Sequence, residues 1–133
     1  NRTILIELIR VMYHPDNLIL QHTLVEASIE KSRPLLETII RQGIAEGTFQ
    51  VLYPERVAEM ILVILARFSE TLGKSLLAFY DADQPFSSEF IEWGRQEIKV
   101  HEFIVARMLG VKPEKLRLFD MDVLKLFIEP EKA

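Results

Sequence analysis

The 133-residue chain contains no cysteine. That excludes a disulfide framework, a thiolate zinc site and a cysteine nucleophile, and it fits a reducing, cytoplasmic setting. Basic residues are the minority, 16 Lys and Arg against 20 Asp and Glu, leaving a formal net charge of −4. Such a chain, with its charges dispersed, is a poor nucleic-acid binder by itself, because phosphate affinity comes from clustered Lys and Arg. Long hydrophobic runs are also missing. The longest strongly apolar one, Met60 to Ala66 between Glu59 and Arg67, falls far short of the ~20 residues of a membrane span. Asn1-Arg2-Thr3-Ile4 is no signal peptide and has no initiator Met, so the chain reads as a piece of something longer. Strand alternation, internal repeats and low-complexity segments are absent. One domain spanning 1–133 is the default for this length.

What is present is helical periodicity. Residues 1–13 carry Ile4, Leu5, Leu8 and Val11/Met12 on one side and end at His14-Pro15-Asp16. Asp16 or Asn17 can cap a helix over 17–32 whose stripe is Leu18, His22, Val25 and Ile29. Pro34 is expected to break or kink the path, and a short helix over 35–46 follows. Residues 54–80 form the longest helix. Val57, Ile61, Ile64/Leu65, Phe68, Leu72 and Leu76 make its stripe, and Met60, Leu62 and Val63 widen it nearly all round. That requires a central position or a partner chain. Asp81 to Phe86 is a loop. A last long helix spans 87–109, and a weaker segment after Gly110 docks through Leu116, Leu118, Phe119, Val123, Leu124 and Phe127. The fold class is therefore all-α, a bundle of about five to six helices.

The centre of the chain is the stretch from Pro34 to Ala58. Leu35/Leu36, Ile39/Ile40 and Ile44 give one apolar helix face. Gly47 sits where the pattern ends and suits a left-handed cap. Phe49 places an aromatic just past the stop. Pro54 suits the first turn of the next helix, and Glu55 favours its positive end. Gln42-Gly43-Ile44-Ala45-Glu46-Gly47-Thr48-Phe49, then Tyr53-Pro54-Glu55 and Ala58, resembles the middle of the effector-binding and dimerisation domain of TetR-family transcriptional regulators. Ser88 to Trp93, continuing to Met108-Leu109-Gly110, is similar to a late helix of the same domain. Tyr53 stands where family members often have a capping Asp.

Catalytic constellations are lacking. Serines 28, 32, 69, 75, 87 and 88 have no nucleophile-elbow context, and Gly43 and Gly47 are embedded in a helical pattern instead of forming a phosphate loop. The three histidines, His14, His22 and His101, share no motif. His22/Glu26 and Glu97/His101 are four apart and can each pair on one helix face, but a metal site needs three or four converging ligands. The expectation is no catalytic residue, no metal and no cofactor. His22 on an apolar stripe reads first as a satisfied core histidine, and second as a polar anchor in a pocket. Phase alone puts Met12, Tyr13, His22, Glu26, Ile64 and Phe68 on inward helix sides as candidate ligand-binding residues, with plain core packing the alternative for each. The candidate dimer seam is Phe90, Trp93, Gly94, Glu97, His101, Ile104 and Met108, with intrachain core the alternative for the aromatics.

The resemblance implies a homodimer that binds a small effector and controls DNA binding allosterically, as a cytoplasmic repressor does. DNA is contacted only through an N-terminal helix-turn-helix domain absent from this sequence, and residues 1–13 correspond to the end of the helix joining the two domains. The family's effector pocket has no fixed motif, so no pocket residue carries over. The apolar bias of the candidates points to a hydrophobic or amphipathic effector. Two alternatives remain: a helical protein–protein interaction module without a small-molecule pocket, and an all-α enzyme with an unrecognised site.

Overall fold

The computed structural model describes residues 2–82, 88–118 and 120. Four α-helices account for most of them: α1 (Arg2–Met12), α2 (Leu18–Ala45), α3 (Pro54–Asp81) and α4 (Ser88–Leu109). Short 3₁₀ turns at Pro15–Asn17 and Pro113–Lys115 join or follow them. No strand occurs among the described residues. Among the described residues the helix count is four, against the five to six expected for the whole chain, for two reasons. Pro34 does not divide α2, and Phe119 and the stretch 121–133, which hold Val123, Leu124 and Phe127, lie outside the described residues.

Helix α2 continues through Pro34 for 28 residues. A proline there deletes the hydrogen bond to the Glu30 carbonyl. Both Pro34 and Glu30 face solvent, so water can take the freed carbonyl. On the next turn the Thr38 hydroxyl donates to the Pro34 carbonyl at 2.9 Å. Packing of Ile40 and Gly43, both buried, then holds the second half on the core. Neither expected cap at the start of α2 forms. His14 Nδ1 accepts from the Asp16 amide at 3.1 Å, while Asn17 reaches back to donate to the Val11 carbonyl at 2.7 Å.

The end of α2 follows the expected chemistry. Gly47 has φ 78°, and the Thr48 and Phe49 amides both return to the Gly43 carbonyl at 2.8 and 3.0 Å. This satisfies a carbonyl that the helix end would otherwise leave open. The Phe49 ring lies directly over Gly43, where an added Cβ would sit 2.1 Å from Phe49 Cδ2. Pro54 opens α3, and the Glu55 carboxylate in its first turn pairs with Arg33 of α2 at 3.0 Å.

The core forms where α2, α3 and α4 meet. Ile40, Ala58, Ile61, Val105 and Leu109 are buried together, with Leu36, Ile44, Phe49, Val51, Met108 and Leu116 packed on them. Each fully buried aliphatic side chain contributes ~1.5–3 kcal/mol. The loop before α3 is tied to the end of α4 by the Gln50 amide, which donates to the Leu109 carbonyl at 3.0 Å. Gly110, at φ 69°, allows that approach, since a Cβ there would meet Gln50 at 2.9 Å. The Leu118 amide donates to Glu102 Oε2 at 2.8 Å and fastens the following segment on α4.

The N-terminal part is packed more thinly. Among the described side chains of α1 only Ile6 is buried, and from Leu18 to Ile39 α2 buries none. Two contacts fix the C-terminal half of α1 on α3. The Arg10 guanidinium makes a two-pronged contact with Asp81 at 2.6 and 2.8 Å, and the Tyr13 ring lies on Gly73, where a Cβ would come within 2.5 Å. Gly73 thus seats an aromatic ring.

Candidate functional site

A cavity of about 370 Å³ lies between α2 and α3 at the end of α1. The end of α1 contributes Met12, and Tyr13 follows directly after it. Helix α3 contributes Leu62, Leu65, Ala66, Ser69 and Glu70. Helix α2 contributes an apolar group, Leu24, Val25 and Ile29, and a polar one, Gln21, Ser28 and Ser32. The wall is thus mainly aliphatic with a few hydroxyl, amide and carboxylate groups, a composition common to small-molecule pockets. Exposed Leu24, Val25 and Ser28 form an open flank on the α2 side.

The electrostatics of this cavity centre on Glu70. Its Oε1 accepts from Lys74 Nζ at 2.8 Å, one turn further along α3. That hydrogen bond keeps the carboxyl below its ordinary range, so Glu70 is ionised at neutral pH. Burial is the main reason the Tyr13 phenol is pushed up, and the nearby Glu70 charge adds to it. Tyr13 is therefore a neutral donor, and its hydroxyl lies 3.5 Å from the Ser69 carbonyl.

Six ligand-binding candidates came from helix phase, and the structure brings only Met12 and Tyr13 to this cavity. His22 and Glu26 are exposed on α2, so the expectation of a core histidine is corrected. The inward face of α2 is rotated away from Leu18/His22 toward Gln21, Ser28 and Ser32. Ile64 is half-buried and off the cavity wall. Phe68 is 2% exposed and stacks on His101 of α4, with ring centroids 4.3 Å apart. The missed lining residues do carry a signal. Gln21, Ser28 and Ser32 recur at helical spacing beside Val25 and Ile29 of the expected stripe, a face that mixes small polar and apolar residues and so reads as neither core nor surface.

The candidate seam on α4 divides in the same way. Phe90 and Gly94 are already buried within the chain, and Phe90 packs on Phe79 at 4.3 Å and on Trp93 at 5.6 Å. These two are core residues, because α4 turns this phase onto α3. Met108 packs on the core of Ile40, Ala58, Ile61, Val105 and Leu109. The His101 ring packs on Phe68, and its Nδ1 lies 2.6 Å from the Glu97 carbonyl. A carbonyl only accepts, so Nδ1 carries the proton. Trp93 and Glu97 are half-buried, and Ile104 is exposed. Beside Ile104, Val100 and Phe103 are 47% and 48% exposed, with Arg107 over the Phe103 ring at 5.5 Å. On α3, Met60 and Val63 are exposed. At helical phase these five apolar side chains share one side of the antiparallel α3–α4 pair.

Fold and site together define an all-helical domain with a cavity between its first three helices and an apolar flank on its last two. A family model described as "Tetracyclin repressor-like, C-terminal domain" matches residues 5–78, more than half of the chain. The chain belongs to this TetR-like C-terminal domain family. Domains of this family serve transcriptional regulators as effector-binding and dimerisation domains and are regulatory, not catalytic. No curated protein and no solved structure matches the chain. The matched region covers most of α1, all of α2, most of α3 and every described residue of the cavity wall. Among the described residues no helix is long and apolar enough to cross a membrane, and no three His, Asp or Glu side chains cluster as metal ligands do.

Proposed function

We propose that residues 1–133 form a single effector-binding and dimerisation domain of a cytoplasmic TetR-like repressor, without catalytic activity. A small hydrophobic or amphipathic molecule occupies the cavity between α1, α2 and α3. Its binding displaces α1, which leads to the helix-turn-helix domain that the family places before it. Through the dimer, that displacement changes the spacing of the two DNA-reading heads and lowers operator affinity. The observation that carries this reading is that the cavity shares a wall with α1 itself, through Met12 and Tyr13. Helix α1 is held by few side chains, so a modest difference in ligand affinity between two α1 positions is enough to shift the balance.

The homodimer in this reading uses the α3–α4 flank of Met60, Val63, Val100, Phe103 and Ile104. Of the residues expected at the seam, Trp93, Glu97 and Ile104 share this phase. Two copies pairing these helices make a four-helix interface, the usual way to bury a flank of this kind.

Native mass spectrometry of the purified chain tests both parts. The expected result is a dimer that retains a discrete small molecule, and loses it when Ala66→Phe fills the cavity. A bare monomer at micromolar concentration overturns the dimer assignment. A dimer whose bound mass is unchanged in Ala66→Phe overturns the cavity assignment.

A further inference from the structure

The cavity wall is one-sided in charge. Among the described residues Glu70 is its only charged side chain, and no described Lys, Arg or His lines it. An anionic ligand head buried there would meet a carboxylate, and the nearest cation, Lys74, is already paired with that carboxylate and does not line the wall, which is unfavourable in a partly desolvated site. The wall also holds a hydrogen-bonding cluster at the Glu70 end, where Tyr13 and Ser69 lie together, and an aliphatic remainder of Leu24, Val25, Ile29, Leu62 and Leu65. Lys74 satisfies only Oε1 of Glu70. It is a half-exposed lysine on the same helix, and pairs of this type are held weakly. A second ammonium can therefore share the carboxylate through Oε2, or replace Lys74 outright.

From this geometry we infer that the cavity selects an amphipathic cation: an apolar body along α2 and α3, and an ammonium head on Glu70 beside the Tyr13 ring. The inference rests on the effector-cavity reading above and adds the ligand's charge. Neutral molecules of the same body bind more weakly, and carboxylates most weakly. The selection is local to Glu70 and independent of the overall charge of −4, which would favour any cation anywhere on the surface.

Isothermal titration calorimetry at pH 7 with three decyl compounds, below their micelle-forming concentrations, separates these possibilities. Decylamine is protonated at that pH, decanol is neutral and decanoate is anionic. The expected order is decylamine, decanol, decanoate, with at least a tenfold gap between the first and last, about 1.4 kcal/mol. Glu70→Gln keeps the side chain's shape and brings decylamine to the level of decanol while leaving decanol unchanged. Lys74→Gln, which removes the competing cation, tightens decylamine about two- to fivefold if the pair is as weak as surface pairs generally are. Equal binding of decylamine and decanol to the native chain overturns the charge selection and leaves the cavity standing. So does a decylamine preference that survives Glu70→Gln, since it would come from the net charge. Absence of binding by all three compounds overturns the cavity reading itself.

Discussion

Gly43 is the position where a single methyl group matters most. Its missing side chain is the space that Phe49 fills, and the clash an alanine would create involves ring atoms as far in as Phe49 Cγ, 2.7 Å from the added Cβ. The ring cannot yield without leaving the core. Alanine gains ~0.5–1 kcal/mol of intrinsic helix stability over glycine, whereas forcing extra volume into a packed core costs ~1–3 kcal/mol. Gly43→Ala is therefore expected to lower stability in urea unfolding, and Gly43→Ala with Phe49→Leu to recover part of the loss. At Asp81 the outcome depends on pH. The Arg10 hydrogen bond depresses the Asp81 carboxyl below its ordinary 3.8. A depressed carboxyl stabilises the fold above its unfolded value and loses that effect as pH falls through the native one. Asp81→Asn should be the less stable chain at pH 7, with the gap closing as pH drops below 3.8. Both partners are solvent-exposed, so added salt should narrow the gap as well. Thermal melts of the two chains across pH and salt check this.

At the scale of elements, α2 performs two tasks along one helix. Its last turns, at Ile40 and Gly43, are core. Its earlier part buries no residue and makes one wall of the cavity. Pro34 lies between the two halves. Removing a helix-interior proline restores a hydrogen bond worth part of the ~3 kcal/mol penalty, and the looser unfolded chain offsets ~0.4–1 kcal/mol of that. Pro34→Ala is expected to stabilise the chain by ~1–2 kcal/mol, read as a higher urea midpoint. The existence of α2 was legible from periodicity, but its continuity was not. A proline's local preference says break. Only the exposure of Glu30 and Pro34, and the anchoring of the helix beyond them, show why the helix continues. On α4 the apolar positions were likewise legible. Which of them face α3 was not, because Phe90, Ile91, Val100, Phe103, Ile104 and Val105 together cover about two-thirds of the helix circumference.

For the whole molecule the proposed dimer makes a sharp expectation. Met60, Val63, Val100, Phe103 and Ile104 are exposed in the single chain, so a charge placed among them should not disturb the intrachain core. Ile104→Glu and Val63→Glu are expected to convert a dimer to a monomer in sedimentation at micromolar concentration while keeping the helical circular dichroism signal. Phe90→Ala, by contrast, removes a buried ring and should cost ~3–5 kcal/mol of fold stability. A dimer that persists in both glutamate variants would move the seam elsewhere, the exposed face of α1 being the next apolar surface.

The sequence by itself determined the helical class, the glycine stop at Gly47, the proline start at Pro54 and the ends of α3 and α4 to within a residue or two. These are local matters of backbone freedom, missing donors and apolar spacing, which a chain carries wherever it folds. The resemblance centred on Gln42 to Phe49 also sufficed to name the family. Tertiary structure decided the rest. It rotated the inward face of α2 away from His22 and onto Ser28 and Ser32, seated Tyr13 on Gly73, and turned Phe90 inward while leaving Phe103 out. A helix with apolar residues on most of its circumference has several nearly equivalent ways to face its neighbours. The choice among them is made by which neighbour offers a fitting surface, and those neighbours lie up to 71 residues away, as Arg10 and Asp81 do.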